Sequence, residues 1–323
     1  MRPNLFSLEK LTGFLFLTLF LYNCDSKPTD EDRVTTVDTT NLAQDTIDLA
    51  TDIKKVAGNF PSPVDFVSHI SQADIAYQKT LLNSATRADD YLTNTTQTAL
   101  NLGVYLADLG YSSLYFKAQA ALAYLKAIEK LSDQLEILNE QSIELAKRFE
   151  ENLEERDSLL MITREAYFSM DEYLKESDRK EVSALILAGS WTEGLYLSCM
   201  AIQSNENIAS DPSLQPILWR VGGQKRSLDN LISILTKQKE DEMVKDLLVQ
   251  LKALQKVYEK VRIVEESNID QQEVIDIAEV KDINDLTDQT VIRSIAKVEI
   301  EPATFEEITK KIKTIRATVI AQP

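Results

Sequence analysis

The sequence predicts an all-α protein, a multi-helix bundle or irregular helical array with long antiparallel helices. Only 8 glycines and 8 prolines occur in 323 residues, so the residues that punctuate strand-and-turn folds are scarce. Apolar residues recur at steps of three, four and seven along most of the chain, which is the period of an amphipathic helix. The composition, 44% hydrophobic and 27% charged, is that of a globular chain able to bury a sizeable core.

The chain is strongly acidic, with a formal net charge of −17. Binding to nucleic acid needs concentrated Lys and Arg side chains that neutralise phosphates, so no nucleic-acid partner is expected. Anionic lipid would repel the chain as well. We therefore expect any attachment to a membrane to be covalent.

The amino terminus combines a basic start, at Arg2 and Lys10, with the apolar run LTGFLFLTLFLY at Leu11–Tyr22. Twelve residues are too few to span a bilayer as a helix but suit the apolar region of a signal peptide. Cys24 follows closely, and this arrangement resembles a bacterial lipoprotein signal. The resemblance implies a signal peptide over 1–23 and acyl chains on Cys24 that anchor the protein in the cell envelope, at the outer rather than the inner membrane.

After Cys24, the sequence DSKPTDEDRVTTVDTT is polar and acidic without an apolar period, which predicts a flexible stalk over residues 24–40. A helical domain is expected over 41–323, with a possible subdivision near 205–225. The first part of this domain is predicted to form a helix over 41–56, which Gly58 and Pro61 end. Residues 64–83 again show a helical pattern.

The central stretch, residues 100–138, predicts one long helix with small residues at its start. Gly103 and Gly110 lie seven residues apart on one stripe, and glycine inside a helix costs about 0.5 to 1 kcal/mol relative to alanine. Close approach of a second helix would offset that cost. A similar stripe surrounds Gly194, so we expect these two notched helices to pack together.

The opposite face of the central helix carries polar residues at helical spacing, and a matching face occurs on the second notched helix. Two interpretations are open: a hydrogen-bonded polar seam between helices, or a wall that faces a ligand. The candidate ligand-facing residues are Asn101, Tyr105, Asp108, Tyr115 and Tyr196.

Further helices are predicted over 140–175, over the second notched segment, and from 227 to about 264, the last with a possible break near 237–241. A short strand is possible at 297–301. Thr304 and Glu307 have the spacing of a capping box, which predicts a final helix from about 305 to 320.

The segments FPSPVDFVSHISQADIAYQKTLLN, ALNLGVYLADLGYSSLYFKAQ and AGSWTEGLYLS resemble an uncharacterised group of helical lipoproteins from Bacteroidota. The resemblance covers most of the chain from the stalk to about Gln203. It implies an envelope location and a helical fold, and it brings no catalytic residue.

Motifs for catalysis, metals and nucleotides do not occur in the sequence. His69 is the only histidine, and the sequence contains no GxSxG motif of a serine hydrolase to accompany it. Cys199 is the one cysteine besides Cys24. We therefore expect no enzyme, metal site or cofactor, but a binding or scaffold module for an envelope protein or a small ligand. The alternative is a hydrolase that uses Asp108 and Glu193 in a cleft between the two notched helices.

Overall fold

The computed structural model describes residues 62–73, 75–204, 212–264 and 297–321. The all-α prediction is confirmed, since these residues form ten α-helices and one short two-stranded ribbon. The predicted signal peptide and the predicted stalk, which includes Cys24, lie outside the described part of the chain, as do residues 41–61, 205–211 and 265–296. In chain order the helices are α1 (Pro63–Gln72), α2 (Thr95–Leu114), α3 (Ala118–Gln134), α4 (Glu140–Glu151), α5 (Arg156–Glu176), α6 (Lys180–Gln203), α7 (Gln215–Gly222), α8 (Lys225–Thr236), α9 (Glu242–Tyr258) and α10 (Pro302–Val319).

Helices α2 and α6 form the centre of the core. Every residue of α2 after its first is buried, and most of α6 is buried too. The two helices cross where Gly103 meets the backbone of Ile186 and Gly189 meets the backbone of Leu100. A Cβ atom on Gly103 would lie 2.1 Å from the Ile186 carbonyl oxygen, so only glycine permits this approach.

The predicted pairing of both notches with one helix is only partly correct. Gly103 does face α6, but at Ile186 and Ser190 rather than at Gly194. Gly110 instead faces Val64 of α1, and Gly194 faces Phe66 of the same helix. The reason is that α1 lies across both central helices, so its side chains occupy the space above the two remaining glycines.

The central stretch is two helices rather than the one predicted. Helix α2 ends in a Schellman motif, in which Phe116 N–H binds the Ser113 carbonyl and Lys117 N–H binds the Ser112 carbonyl, both at 2.9 Å. Phe116 adopts a φ of 54° in this motif, a conformation that usually calls for glycine. Helices α3 and α5 end in the same way, with Glu136 at φ 54° and Asp178 at φ 57°.

Three other boundaries differ from the prediction. The segment 140–175 divides into the hairpin of α4 and α5, and the helix expected to reach 264 ends at Tyr258. Residues Arg262–Val264 instead form strand β1, which pairs antiparallel with strand β2 (Lys297–Glu299). The possible strand at 297–301 is thus confirmed in part. The predicted capping box at Thr304 is wrong, because α10 already begins at Pro302 and Thr304 is buried within it.

Helix α6 is the one helix among the described residues that has the length and hydropathy to cross a bilayer. Most of its apolar window, 89%, is buried inside the protein. Buried core helices share this length and hydropathy, and α6 packs against α1, α2 and α10. Buried residues on both sides of the proposed subdivision near 205–225 belong to one core.

Candidate functional site

The predicted ligand-facing stripe is covered by the segment that precedes α2 and by the end of α10, which bury Asn101, Tyr105 and Asp108. Tyr105 donates a hydrogen bond to the Ser84 carbonyl at 2.9 Å, and Tyr115 donates to the Ile75 carbonyl at 2.5 Å. The Asn101 amide donates to the Val319 carbonyl at 3.0 Å. These three side chains therefore belong to a hydrogen-bonded seam, which is the first of the two interpretations that the sequence left open.

Asp108 and Glu193 lie close together, as the hypothesis of an acid pair requires, and both are fully buried. Arg316 of α10 binds Glu193 through two hydrogen bonds, of 2.6 Å from Nε and 2.8 Å from Nη2. One oxygen of Asp108, Oδ2, accepts a 3.1 Å hydrogen bond from the Asn83 backbone N–H. The other, Oδ1, is buried without a conventional donor. We call Asp108, Glu193 and Arg316 the buried ionic cluster.

The charge balance of the buried ionic cluster favours a proton on Asp108. Burial, and next the charge of Glu193, raise the pKa of the Asp108 carboxyl well above its usual range, although Arg316 lowers it. A proton on Asp108 allows a side-chain hydrogen bond to Glu193 and leaves one cation facing one carboxylate. The cluster is then neutral overall, which is the arrangement that costs least in a buried site.

Aromatic side chains surround the buried ionic cluster. The Arg316 guanidinium lies over the Tyr196 ring, 4.2 Å from its centroid, so the last predicted stripe residue also contacts the cluster. Tyr124 donates a hydrogen bond to the Asn83 carbonyl, and the Asn83 side chain bonds Tyr91. Burial raises the pKa of Tyr124 and Tyr196. These contacts form a packed seam between the central helices, α10 and the segment before α2.

A cavity of about 80 Å³ lies elsewhere, between α2, α3 and the hairpin of α4 and α5. Its wall is apolar for the most part, and the exposed Glu129 lies at its rim. The lining residues are Leu106, Leu109, Leu125, Ile128, Glu129, Ser132, Ile137, Leu138, Asn139, Ser142, Leu145, Ala146, Phe149, Ile162, Thr163, Ala166, Ser169 and Met170. Part of this rim is accessible, since Leu138 and Glu129 are exposed.

The sequence did not predict this cavity. Leu125 and Ile128 lie at helical spacing in the central stretch and both line it. A void arises when facing side chains fail to fill the space between helices, which depends on helix positions rather than on residue type. The one available signal is Glu129, a carboxylate that directly follows Ile128 on the cavity-facing stripe.

The role of Arg316 was also not predicted, because its partner Glu193 lies 123 residues away in the chain. The available signal is its register, since it follows the buried Ile312 and Ile315 on the inward side of α10. Cys199 is buried, and burial raises the pKa of its thiol to about 12. His69 lies in α1.

Comparison of this chain with protein-family models, with curated proteins and with solved structures gives no match. Its function has to be inferred from the geometry of two features, the buried ionic cluster and the cavity between α2, α3, α4 and α5.

Proposed function

We propose that this protein is a non-catalytic, lipid-anchored lipoprotein of the bacterial cell envelope whose helical body binds a small apolar ligand. The binding site is the cavity between α2, α3, α4 and α5. The observation that carries this proposal is a void of about 80 Å³ with apolar walls and an accessible polar rim. Concave apolar sites with a few polar groups are the usual form of small-molecule sites.

The size and chemistry of the cavity favour a hydrocarbon group. A single water needs about 10 to 15 Å³ of such volume, so the cavity offers room for roughly five to eight water-sized groups. Apolar walls give those waters few hydrogen-bond partners, whereas a methylene group gains about 0.8 kcal/mol on leaving water. An aliphatic chain of several carbons therefore suits the site better than solvent does.

The position of the acid pair supports binding over hydrolysis. A general acid or base has to lie within hydrogen-bond reach of the bond that it acts on. Asp108 and Glu193 are fully buried, and Glu193 is occupied by Arg316. At the notch, the backbones of α2 and α6 touch at Gly103 and Gly189, so the seam is filled where a cleft was expected. The cluster is best explained as part of the core.

The anchor is part of the same proposal. The lipoprotein-like signal places the acyl chains on Cys24, and residues 24–40 would join the helical body to the membrane. The resemblance to helical lipoproteins from Bacteroidota supports the envelope location, with the outer membrane preferred. The net charge of −17 supports attachment through lipid rather than through a basic surface.

Titration of the protein with 1-octanol in a calorimeter tests the binding role, because octanol supplies a short uncharged chain. Ala146→Leu places a larger side chain in the cavity and should weaken binding at least about tenfold, since the chain and the leucine compete for one space. Ala123→Leu is the matched control, because Ala123 is exposed on α3 and does not line the cavity. Absence of saturable binding, or equal loss in both variants, would contradict the proposal.

A further inference from the structure

We infer that the cavity takes a straight-chain alkylamine, with its hydrocarbon tail between the helices and its ammonium group beside Glu129. This inference rests on the proposed function, since it names the class of ligand for the same cavity. It follows from where Glu129 lies, from the state of the other polar groups at the rim, and from the charges around it.

Glu129 lies on the stripe of α3 that faces the cavity. Leu125, Ile128, Glu129 and Ser132 are spaced three, one and three residues apart and all line the cavity. The first two contribute apolar wall, and the latter two lie one turn nearer the end of the helix. A ligand whose chain packs on Leu125 and Ile128 thus brings its head group to Glu129.

Three other polar residues that line the cavity already form hydrogen bonds. Asn139 and Ser142 form a reciprocal capping box at the start of α4, with hydrogen bonds of 2.8 and 2.9 Å. The Ser169 hydroxyl accepts a 3.0 Å hydrogen bond from Gln141, which joins α4 to α5. Glu129 forms no salt bridge with any residue that the structure describes. Its carboxylate is thus a charged group at the rim that can receive a ligand.

The charges at the rim select the sign of the head group. Glu129 is the only charged residue among those that line the cavity within the described chain. Burial, and next the nearby Glu150 carboxylate, raise the pKa of Glu129, while Lys126 lowers it. The carboxylates of Glu129 and Glu150 outnumber the ammonium group of Lys126, so the local net charge is negative. An alkylammonium ligand would relieve this repulsion, whereas a fatty-acid carboxylate would add to it.

Titrations with octylamine, 1-octanol and octanoate separate the head group from the chain, because the three ligands share their chain length. Octylamine should bind the wild-type protein about five- to tenfold more tightly than octanoate, as expected for one attractive and one repulsive contact at a partly solvated site. The ratio should shrink in 0.5 M salt.

Glu129→Gln should reduce the preference for octylamine over octanoate to less than about twofold, because it removes the charge that distinguishes the two head groups. Glu144→Gln, an exposed position on α4 outside the cavity, should keep the full preference. Ala146→Leu should abolish saturable octylamine binding, which distinguishes the cavity from general attraction of an amine to an acidic protein.

Two results overturn the inference while the binding role stands: octanol binds but octylamine has no advantage over octanoate, or the advantage persists in Glu129→Gln. If neither octanol nor octylamine binds saturably, the proposed function fails and the inference fails with it. Equal weakening by Glu129→Gln and Glu144→Gln would also count against it, because the effect would then come from overall charge.

Discussion

Arg316 and Glu193 lie 123 residues apart in the chain, and their side chains form two parallel hydrogen bonds, Nε to Oε2 and Nη2 to Oε1. The same Nη2 donates to the Leu81 carbonyl at 2.8 Å. One arginine therefore joins the last helix to the core helix α6 and to the segment that precedes α2. The carboxyl-terminal helix is thereby part of the core rather than an appendage.

Removal of this arginine should destabilise the protein strongly. Arg316→Met leaves two buried carboxyl groups without their cation, and breaking a buried pair typically costs about 3 to 5 kcal/mol. Arg262→Met is the matched control, since Arg262 pairs with Glu299 but its side chain is 72% exposed. That change should alter the free energy of unfolding by less than about 1 kcal/mol. Urea unfolding of both variants measures the contrast, and similar losses would show that the buried pair has no special role.

Asp108 should make stability depend on pH. Its pKa is raised in the folded protein, so the folded state holds a proton that the unfolded state releases above its ordinary value of about 4. Stability is thus fully present below that pH and falls by about 1.4 kcal/mol per pH unit until the folded pKa is reached. Asp108→Asn mimics the protonated acid and should gain stability relative to wild type as the pH rises from 5 to 8. Urea unfolding at both pH values provides the test; a constant difference would mean that Asp108 is not protonated in the fold.

The two glycines of α2 should respond to alanine with opposite signs. A Cβ atom at Gly103 would lie 2.1 Å from a backbone oxygen of α6, and relief requires the helices to separate, so Gly103→Ala should destabilise by at least about 1 to 3 kcal/mol. At Gly110 the nearest atom, from Val64, is 3.6 Å away, which is an ordinary contact. Gly110→Ala should therefore stabilise by up to about 1 kcal/mol through helix propensity. Thermal melts decide this, and equal effects would argue against the observed crossing at Gly103.

Glycine should be favoured at the end of α3. Glu136 adopts a φ of 54°, and the left-handed conformation costs a side-chain-bearing residue roughly 1 to 2 kcal/mol. Glu136→Gly should raise stability by about 0.5 to 1 kcal/mol after allowance for the greater freedom of glycine in the unfolded chain. Glu144→Gly makes the same change at an exposed position inside α4 and should destabilise by about 1 kcal/mol. If both variants lose stability in thermal melts, the left-handed conformation at Glu136 carries no strain.

Cys24 should determine membrane attachment. Cys24→Ser removes the thioether site, so the variant should leave the membrane fraction or remain with an uncleaved signal, and it should not incorporate labelled fatty acid. Cys199→Ser is the matched control, because its thiol is buried and cannot carry an anchor. Cell fractionation with fatty-acid labelling tests this, and a wild-type protein that takes up no label would contradict the anchor.

The stripe of polar residues shows what tertiary structure added to a correct sequence pattern. Asn101, Tyr105 and Asp108 share a face, as their spacing predicts. The spacing could not say what covers that face, because its covering segments come from residues 75–84 and from α10, far away in sequence. The charge partner of Glu193 was beyond prediction for the same reason.

The ends of helices were harder to predict from the sequence than their starts. Asparagine is a preferred N-cap residue, and the Asn94 side chain accepts the Gln97 N–H at the start of α2. The end of the same helix was missed because Phe116, rather than glycine, holds the left-handed position. The start of α2 carries a typical N-cap residue, whereas its end has phenylalanine at the position where glycine usually marks the end of a helix.

By itself the sequence determined the helical class, the inward stripes and the need for close approach at Gly103, because these depend on residue period and size, which are local properties. Only the tertiary structure decided which helix meets Gly103, which cation neutralises the acid pair, and where packing leaves a cavity. Those outcomes depend on contacts between residues far apart in the chain, and many helix arrangements satisfy the same periodic pattern.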